Sequence, residues 1–293
     1  MSDDRTGTSR MSDDSTTPSQ DELDEAARYS LAWLGLREPA DAQARATELL
    51  EPLRRQLAGT SRPVIHDLGC GSGSMGRWLA PRLPGPQHWI MYDHDPDLLA
   101  HAAANMVGSA ADGSPVTVET RRADITRLTA DDLAGATLVT ASALLDLLTL
   151  EEVAGLAAAC VGAGSAALLT LSVLGRVELA PADPADAEIA AAFDAHQRRN
   201  NGGRRLLGPD AVDAMTQAFG RLGVQVQVRT SPWRLGRDQA ALTAQWLRGW
   251  VGAAYEQRPE LADDGYLSRR LAAAEAGELR VVVHHADLFA RLE

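Results

Sequence analysis

Apolar positions recur along this chain with two different periods, and the switches between them predict its elements. From Asp21, residues Leu23, Ala26, Ala27, Leu31 and Leu34 repeat at helical spacing, and Gly35 closes the segment. A second helix is predicted over 40–58, with Ala42, Ala46, Leu49, Leu50, Leu53 and Leu57 on one face. The middle then alternates. Strands are predicted over 63–68, 89–92, 116–121, 136–141 and 165–173, with helices over 75–83, 96–106 and 150–161 between them. Residues 175–205 are polar, arginine-bearing and irregular. A helix over 209–222, a strand over 224–229, helices over 238–257 and 264–276, and a last strand over 279–284 complete the pattern.

Strands that alternate with helices need crossover connections, so the sheet is expected to be parallel and covered on both faces. This is an α/β, doubly wound arrangement. No flexible linker divides it. Residues 1–20 hold almost nothing apolar and read as a disordered acidic tail, which leaves 21–293 as one domain opened by helices over 21–60.

Composition narrows the chemistry. The 293 residues are 45% hydrophobic, 23% charged and only 4% aromatic, and all 28 basic residues are arginine. Without lysine there is no Schiff base and no Walker A phosphate site. The net charge is −12, and the first 25 residues carry eight acids against two arginines, so about half of the excess lies in the tail. An acidic surface repels phosphate backbones, so no nucleic-acid partner is expected. No apolar run is long enough for a membrane helix, and no signal-peptide pattern opens the chain. With two cysteines, Cys70 and Cys160, a cytoplasmic protein without a disulfide framework is expected. No His/Cys/Asp cluster has metal-ligand spacing.

The strongest local signal is His66-Asp67-Leu68-Gly69-Cys70-Gly71-Ser72-Gly73-Ser74-Met75-Gly76, which follows an apolar strand and opens a helix. Glycines there allow positive φ and close approach of a ligand. The stretch fits GxGxxG, the dinucleotide fingerprint, and it also fits Asp-x-Gly-x-Gly-x-Gly. Asp67 separates the two, because a carboxylate under the turn would repel pyrophosphate but suits an ammonium. Asp93 ends the next strand, where a carboxylate can accept from ribose hydroxyls. Ala123-Asp124-Ile125 follows the third strand, and the fourth leads into Ser142-Ala-Leu-Leu-Asp146.

Taken together, these stretches resemble the class I S-adenosylmethionine-dependent methyltransferases over roughly residues 22–174. The resemblance implies a Rossmann-like, seven-stranded, mostly parallel sheet with an antiparallel last strand. It implies S-adenosyl-L-methionine as cofactor, held by Asp67, Gly69, Gly71, Gly73, Asp93, Asp124, Ile125 and Ser142. The expected reaction is methyl transfer to an oxygen or nitrogen of a small molecule. An NAD-dependent oxidoreductase and a non-catalytic cofactor-binding subunit are the alternatives. Residues 175–210 follow strand five and are expected to bind the acceptor. His196, Arg198, Arg199, Arg204 and Arg205 concentrate positive charge there, which suits an anionic acceptor held by Arg198 and Arg199. Asp146 and His196 are the candidate bases.

Overall fold

The computed structural model describes residues 30–292. The expected acidic tail and the first part of the leading helix lie outside them. Nine α-helices are present among the described residues: α1 Leu31–Ala44, α2 Leu50–Leu57, α3 Ser74–Leu79, α4 Pro96–Ala104, α5 Leu150–Gly162, α6 Asp186–Gln197, α7 Ala211–Arg221, α8 Ala240–Gln257 and α9 Tyr266–Glu275. The strands are β1 Val64–Leu68, β2 Gln87–Asp93, β3 Val116–Arg122, β4 Leu138–Ser142, β5 Ala166–Ala180, β6 Asn200–Asn201, β7 Arg204–Arg205, β8 Gln225–Thr230, β9 Trp233–Leu235 and β10 Arg280–Arg291.

The main sheet runs β3-β2-β1-β4-β5-β10-β8. Strands β1 to β5 are mutually parallel, and β10 lies antiparallel to both β5 and β8. The expected seven strands form this path. An eighth, β9, also pairs with the first half of β10. Strand order reverses between β1 and β4, and ligands of open α/β sheets bind outside the carboxyl ends of the strands at such a point. Buried side chains pack on both faces. Leu53 of α2 and Trp78 of α3 cluster with Trp89 of β2, while Leu156 of α5 clusters with Met215 and Phe219 of α7. A third cluster joins α1, α6, α8 and α9 to β9 and the start of β10 through Trp233, Trp250, Tyr266 and Val281.

Four boundaries differ from the sequence reading, each for a physical reason. Helix α1 does not end at Gly35. Its packed stripe of Trp33, Leu36, Ala40 and Ala44 carries it on to Ala44, through Pro39. The helix expected over 40–58 breaks after Arg45, because the Ala46 amide donates to Asp287 Oδ2 at 2.8 Å instead of to a helical carbonyl. The segment 175–205 is not irregular. Strand β5 continues to Ala180 with strictly alternating burial, α6 follows, and β6 and β7 form a short hairpin. The last strand likewise runs on past His284 to Arg291. Asp287 interrupts its apolar pattern, yet it is buried, accepting from the Leu171 amide and from Ser231 Oγ as well.

Among the described residues, no helix is long and apolar enough to cross a membrane.

Candidate cofactor and acceptor sites

The glycine turn leaves the end of β1 with Gly69, Gly71 and Gly73 all at positive φ, between 53° and 84°. A side chain at Gly73 would be doubly penalised: its Cβ would meet the backbone and Cβ of Ala102 at 3.2 and 3.0 Å. The loop is held by β2. The Cys70 amide donates to the Tyr92 carbonyl, and the Gly71 amide donates to Asp93 Oδ2, both at 2.9 Å. Asp93 Oδ1 accepts from the Asp95 amide. Asp93 thus fixes the turn through its carboxylate and retains lone pairs for a ligand. The Ala123 amide donates to the Asp93 carbonyl, which places Asp124 and Ile125 at the same end of the sheet. Asp124 is exposed and caps the turn that Ile125 opens, accepting from Thr126. Helix α1 lies across the turn. Leu34 would contact a Cβ at Gly71, and Glu38 pairs with Arg77 of α3 at 2.6 Å.

Beneath the turn lies a charged pair that the sequence only half disclosed. Asp67 is 1% exposed, and its Oδ1 accepts from Thr140 Oγ1 at 2.7 Å, while Oδ2 has no hydrogen-bond partner. Burial raises its pKa to about 7, against the opposing influence of Thr140 and Arg45. Arg45, at the end of α1, is 2% exposed. Its Nη2 donates to Ser74 Oγ and to Ser142 Oγ, both at 3.2 Å, and its guanidinium lies 5.4 Å from the centre of the Trp78 ring. Its Nε and Nη1 have no partner. Burial presses the Arg45 pKa down, while Asp41, Asp287 and Asp67 hold it up. A carboxylate oxygen and two guanidinium nitrogens therefore stand unsatisfied beside one turn. A zwitterionic amino-acid group, with its ammonium and carboxylate, matches that pair in charge and in hydrogen-bonding sense. Arg45 was missed because it fell inside the helix predicted over 40–58, where an arginine outside the apolar set reads as a solvated side chain.

Ser142 ties this pair to a second space. One residue further on, Ala143 lines a cavity of about 630 Å³ between α1, α6, α8 and the strands β5, β9 and β10. Ala143 and Leu171, both on its wall, are the non-glycine residues with positive φ among the described ones, at 53° and 56°. Such strain costs energy and persists where the surroundings impose it. Asp146 also lines the cavity and accepts from Gln197 Nε2 at 3.4 Å. Burial raises its pKa to about 6. Asp194, on the same wall, is likewise raised to about 6 by burial.

Two expectations change here. His196 is on the cavity wall, but both of its ring nitrogens are engaged. Arg199 Nη1 donates to Nδ1 at 3.2 Å, which leaves Nε2 to donate to Glu256 at 2.9 Å. The ring is thereby held from both sides by partners within the protein. Arg198 turns away: its Nε and Nη2 clamp Asp210 at 2.7 and 2.8 Å, an ion pair within the protein. Arg199 and Arg248, the latter absent from the sequence reading, line the cavity instead. Among the described residues, no group of three or more His, Cys, Asp or Glu could hold a metal ion.

Residues 65–164 match a family model described as a methyltransferase domain. Over 81 residues the chain is 40% identical to a biotin biosynthesis bifunctional protein of Bordetella avium, which covers 28% of this chain and 17% of that protein. The chain thus spans about a sixth of that relative's length. Among solved structures, a mycolic acid cyclopropane synthase complexed with S-adenosylhomocysteine aligns at 14% identity over 83% of each chain, with a TM-score of 0.45. A magnesium protoporphyrin IX methyltransferase from Synechocystis, with the same molecule bound, aligns at 12% identity over 93% of this chain and 95% of its own, with a TM-score of 0.44. Residues 65–164, which hold the glycine turn and strands β1 to β4 of the doubly wound sheet, thus match a methyltransferase domain.

Proposed function

We propose that this chain transfers a methyl group from S-adenosylmethionine to an oxygen or nitrogen of a small, anionic acceptor, in the cytoplasm. The unsatisfied charges of Asp67 and Arg45 beside the Gly69–Gly73 turn support this reading best. In it, Asp67 takes the cofactor's ammonium and Arg45 its carboxylate. Asp93 accepts from the ribose hydroxyls, and Asp124 and Ile125 flank the adenine. Ser142 holds Arg45 in place. When bound, the cofactor supplies a methyl group on a positively charged sulfur, and loss of that methyl leaves a neutral thioether.

The remaining work falls to the cavity. Segment 175–210 supplies much of its wall through β5 and α6 and is the acceptor-binding element of this reading. Walls of this kind orient the nucleophile and exclude water, which accounts for much of the acceleration of such a transfer. An acceptor O–H or N–H has one proton to lose as the new bond to carbon forms. Asp146 takes that proton, and Gln197 orients the carboxylate. Arg199 and Arg248 provide the positive charge for an anionic group on the acceptor.

The dinucleotide alternative requires pyrophosphate at a turn that covers a buried carboxylate, and Asp67 opposes it. Calorimetry is the test: S-adenosylhomocysteine is expected to bind, with no comparable binding of NAD. The reverse result would overturn the proposal.

Asp146 supplies a pH prediction. With its pKa raised to about 6, it is a base only in the ionised form, so the methylation rate is expected to fall as pH drops through that value. Asp146→Asn should remove this limb and lower kcat by roughly a hundred- to ten-thousand-fold, the usual contribution of a positioned base. Its affinity for S-adenosylhomocysteine should stay as in the parent. A pH–rate profile of the variant with the limb intact would assign the base elsewhere.

A further inference from the structure

The acceptor cavity has an uneven wall. Tryptophans 33, 233, 246 and 250, four of the six in the chain, line it together with Phe193. Trp246 and Trp250 stack at 5.0 Å and 16°, and Phe193 packs on Trp250 at 6.4 Å. Across the cavity, Trp33 and Trp233 meet edge to face at 6.5 Å, with the Arg37 guanidinium over both rings. In a chain so poor in aromatics, this concentration is a local choice.

Helix α8 adds a second feature. Gln245, Gly249, Gly252 and Glu256 are spaced by four, three and four residues, so they form one stripe along the helix, and all four line the cavity. Glycine within a helix lowers its stability. Packing does not account for either residue, since a Cβ at Gly249 or Gly252 would meet nothing within 4 Å. What the two glycines provide is a flat, open strip of wall beside the stacked indoles.

Third, the wall carries unsatisfied polar atoms. Trp250 Nε1 is a buried donor without a partner, and Gln197 Oε1 is a buried acceptor without one. Phe193 connects them, packed on Trp250 and one helical turn before Gln197.

On the methyltransferase reading above, we infer that the acceptor is a planar aromatic compound bearing a ring hydroxyl or amino group, its face seated on the Gly249–Gly252 strip beside Trp246 and Trp250. The indoles supply stacking surface, and the absence of side chains at the strip lets a flat ring approach the helix. Gln197 Oε1 accepts from the hydroxyl or amino group to be methylated, which brings its proton beside Asp146. Trp250 Nε1 donates to an oxygen of the acceptor. An aliphatic ring of the same substitution is thicker, and it gains none of the stacking.

The test is calorimetry on protein loaded with S-adenosylhomocysteine, against hydroxylated and aminated benzoates and naphthoates, each paired with its ring-saturated counterpart. At least one aromatic member is expected to bind tenfold or more tightly than its counterpart. Gly252→Leu, and independently Gly249→Leu at a more exposed position, should weaken that compound at least tenfold and leave S-adenosylhomocysteine affinity within twofold. Gly252→Ala should fold at least as stably as the parent, because the space is open. Equal affinity for the saturated partners, no binding by any aromatic member, or unchanged binding in both leucine variants would overturn the aromatic slot while bound S-adenosylhomocysteine leaves the methyl-transfer reading intact. Failure to bind S-adenosylhomocysteine would overturn that reading first, and this inference with it.

Discussion

Arg45→Ala is expected to be the most damaging single substitution in the molecule. Arg45 is 2% exposed and sits among Asp41, Asp67 and Asp287, whose charges it balances. Removing one partner of a buried charge group leaves the others uncompensated, which costs about 3–5 kcal/mol. The change also strips Ser74 and Ser142 of their donor and Trp78 of its cation. Urea unfolding should show this loss as a lower midpoint. In whatever fraction remains folded, calorimetry should show S-adenosylhomocysteine affinity reduced at least a hundredfold, because charge-assisted contacts to the carboxylate disappear. Arg45→Lys separates the two roles. It keeps the charge and so should recover most of the stability, while an ammonium on a shorter stem lacks the planar fork that reaches both serines and grips a carboxylate with two parallel bonds, so affinity should recover only in part. A folded Arg45→Ala protein with parental affinity would remove Arg45 from the cofactor site.

That residue also marks where the sequence stops being readable. The sheet was legible because β1, β2 and β4 are short apolar-rich runs and β3 opens on alternating valines, each set off by turn residues, and the Asp67–Gly73 motif was legible because its chemistry is local in the chain. Convergence is not local. Nothing in the neighbourhood of Arg45 indicates that Asp67, 22 residues on, and Asp287, at the far end of the chain, fold against it. Asp287 itself was hidden because one carboxylate among Ala286, Leu288 and Phe289 reads as the end of a strand, whereas its three hydrogen bonds make it the pin between β10, β5, the turn that follows α1 and Ser231 between β8 and β9. The same limit affected Arg198, His196 and Arg199. Their shared segment was visible as a positively charged stretch, but Asp210 and Glu256, which engage two of them, come from other elements. The tryptophans of α8 read as core by spacing, and Trp250 is indeed 2% exposed, yet the face it shows is the wall of the cavity.

S-Adenosylhomocysteine affinity is expected to weaken as pH falls, with its midpoint set by Asp67. Burial raises this carboxyl to about 7, so the free protein holds it ionised at pH 8 and largely protonated at pH 6. An ammonium is drawn to the carboxylate and not to the neutral acid, so binding below the midpoint must first expel a proton. Affinity should therefore drop by about tenfold for each unit of pH below 7, and level off above it. Asp67→Asn should flatten this dependence and bind weakly throughout, with the Thr140 hydrogen bond still available to the amide. The midpoint is itself a reporter of Arg45, which lowers the Asp67 pKa from close by. In Arg45→Lys, where a cation is retained less well placed, the midpoint should move upward from the parental value, whereas a cofactor site that does not use Asp67 predicts one flat pH profile for the parent and both variants. Calorimetry at pH 6, 7 and 8 on the three proteins distinguishes these cases, because a lost ammonium contact changes the slope with pH while a purely structural defect lowers affinity equally at every pH.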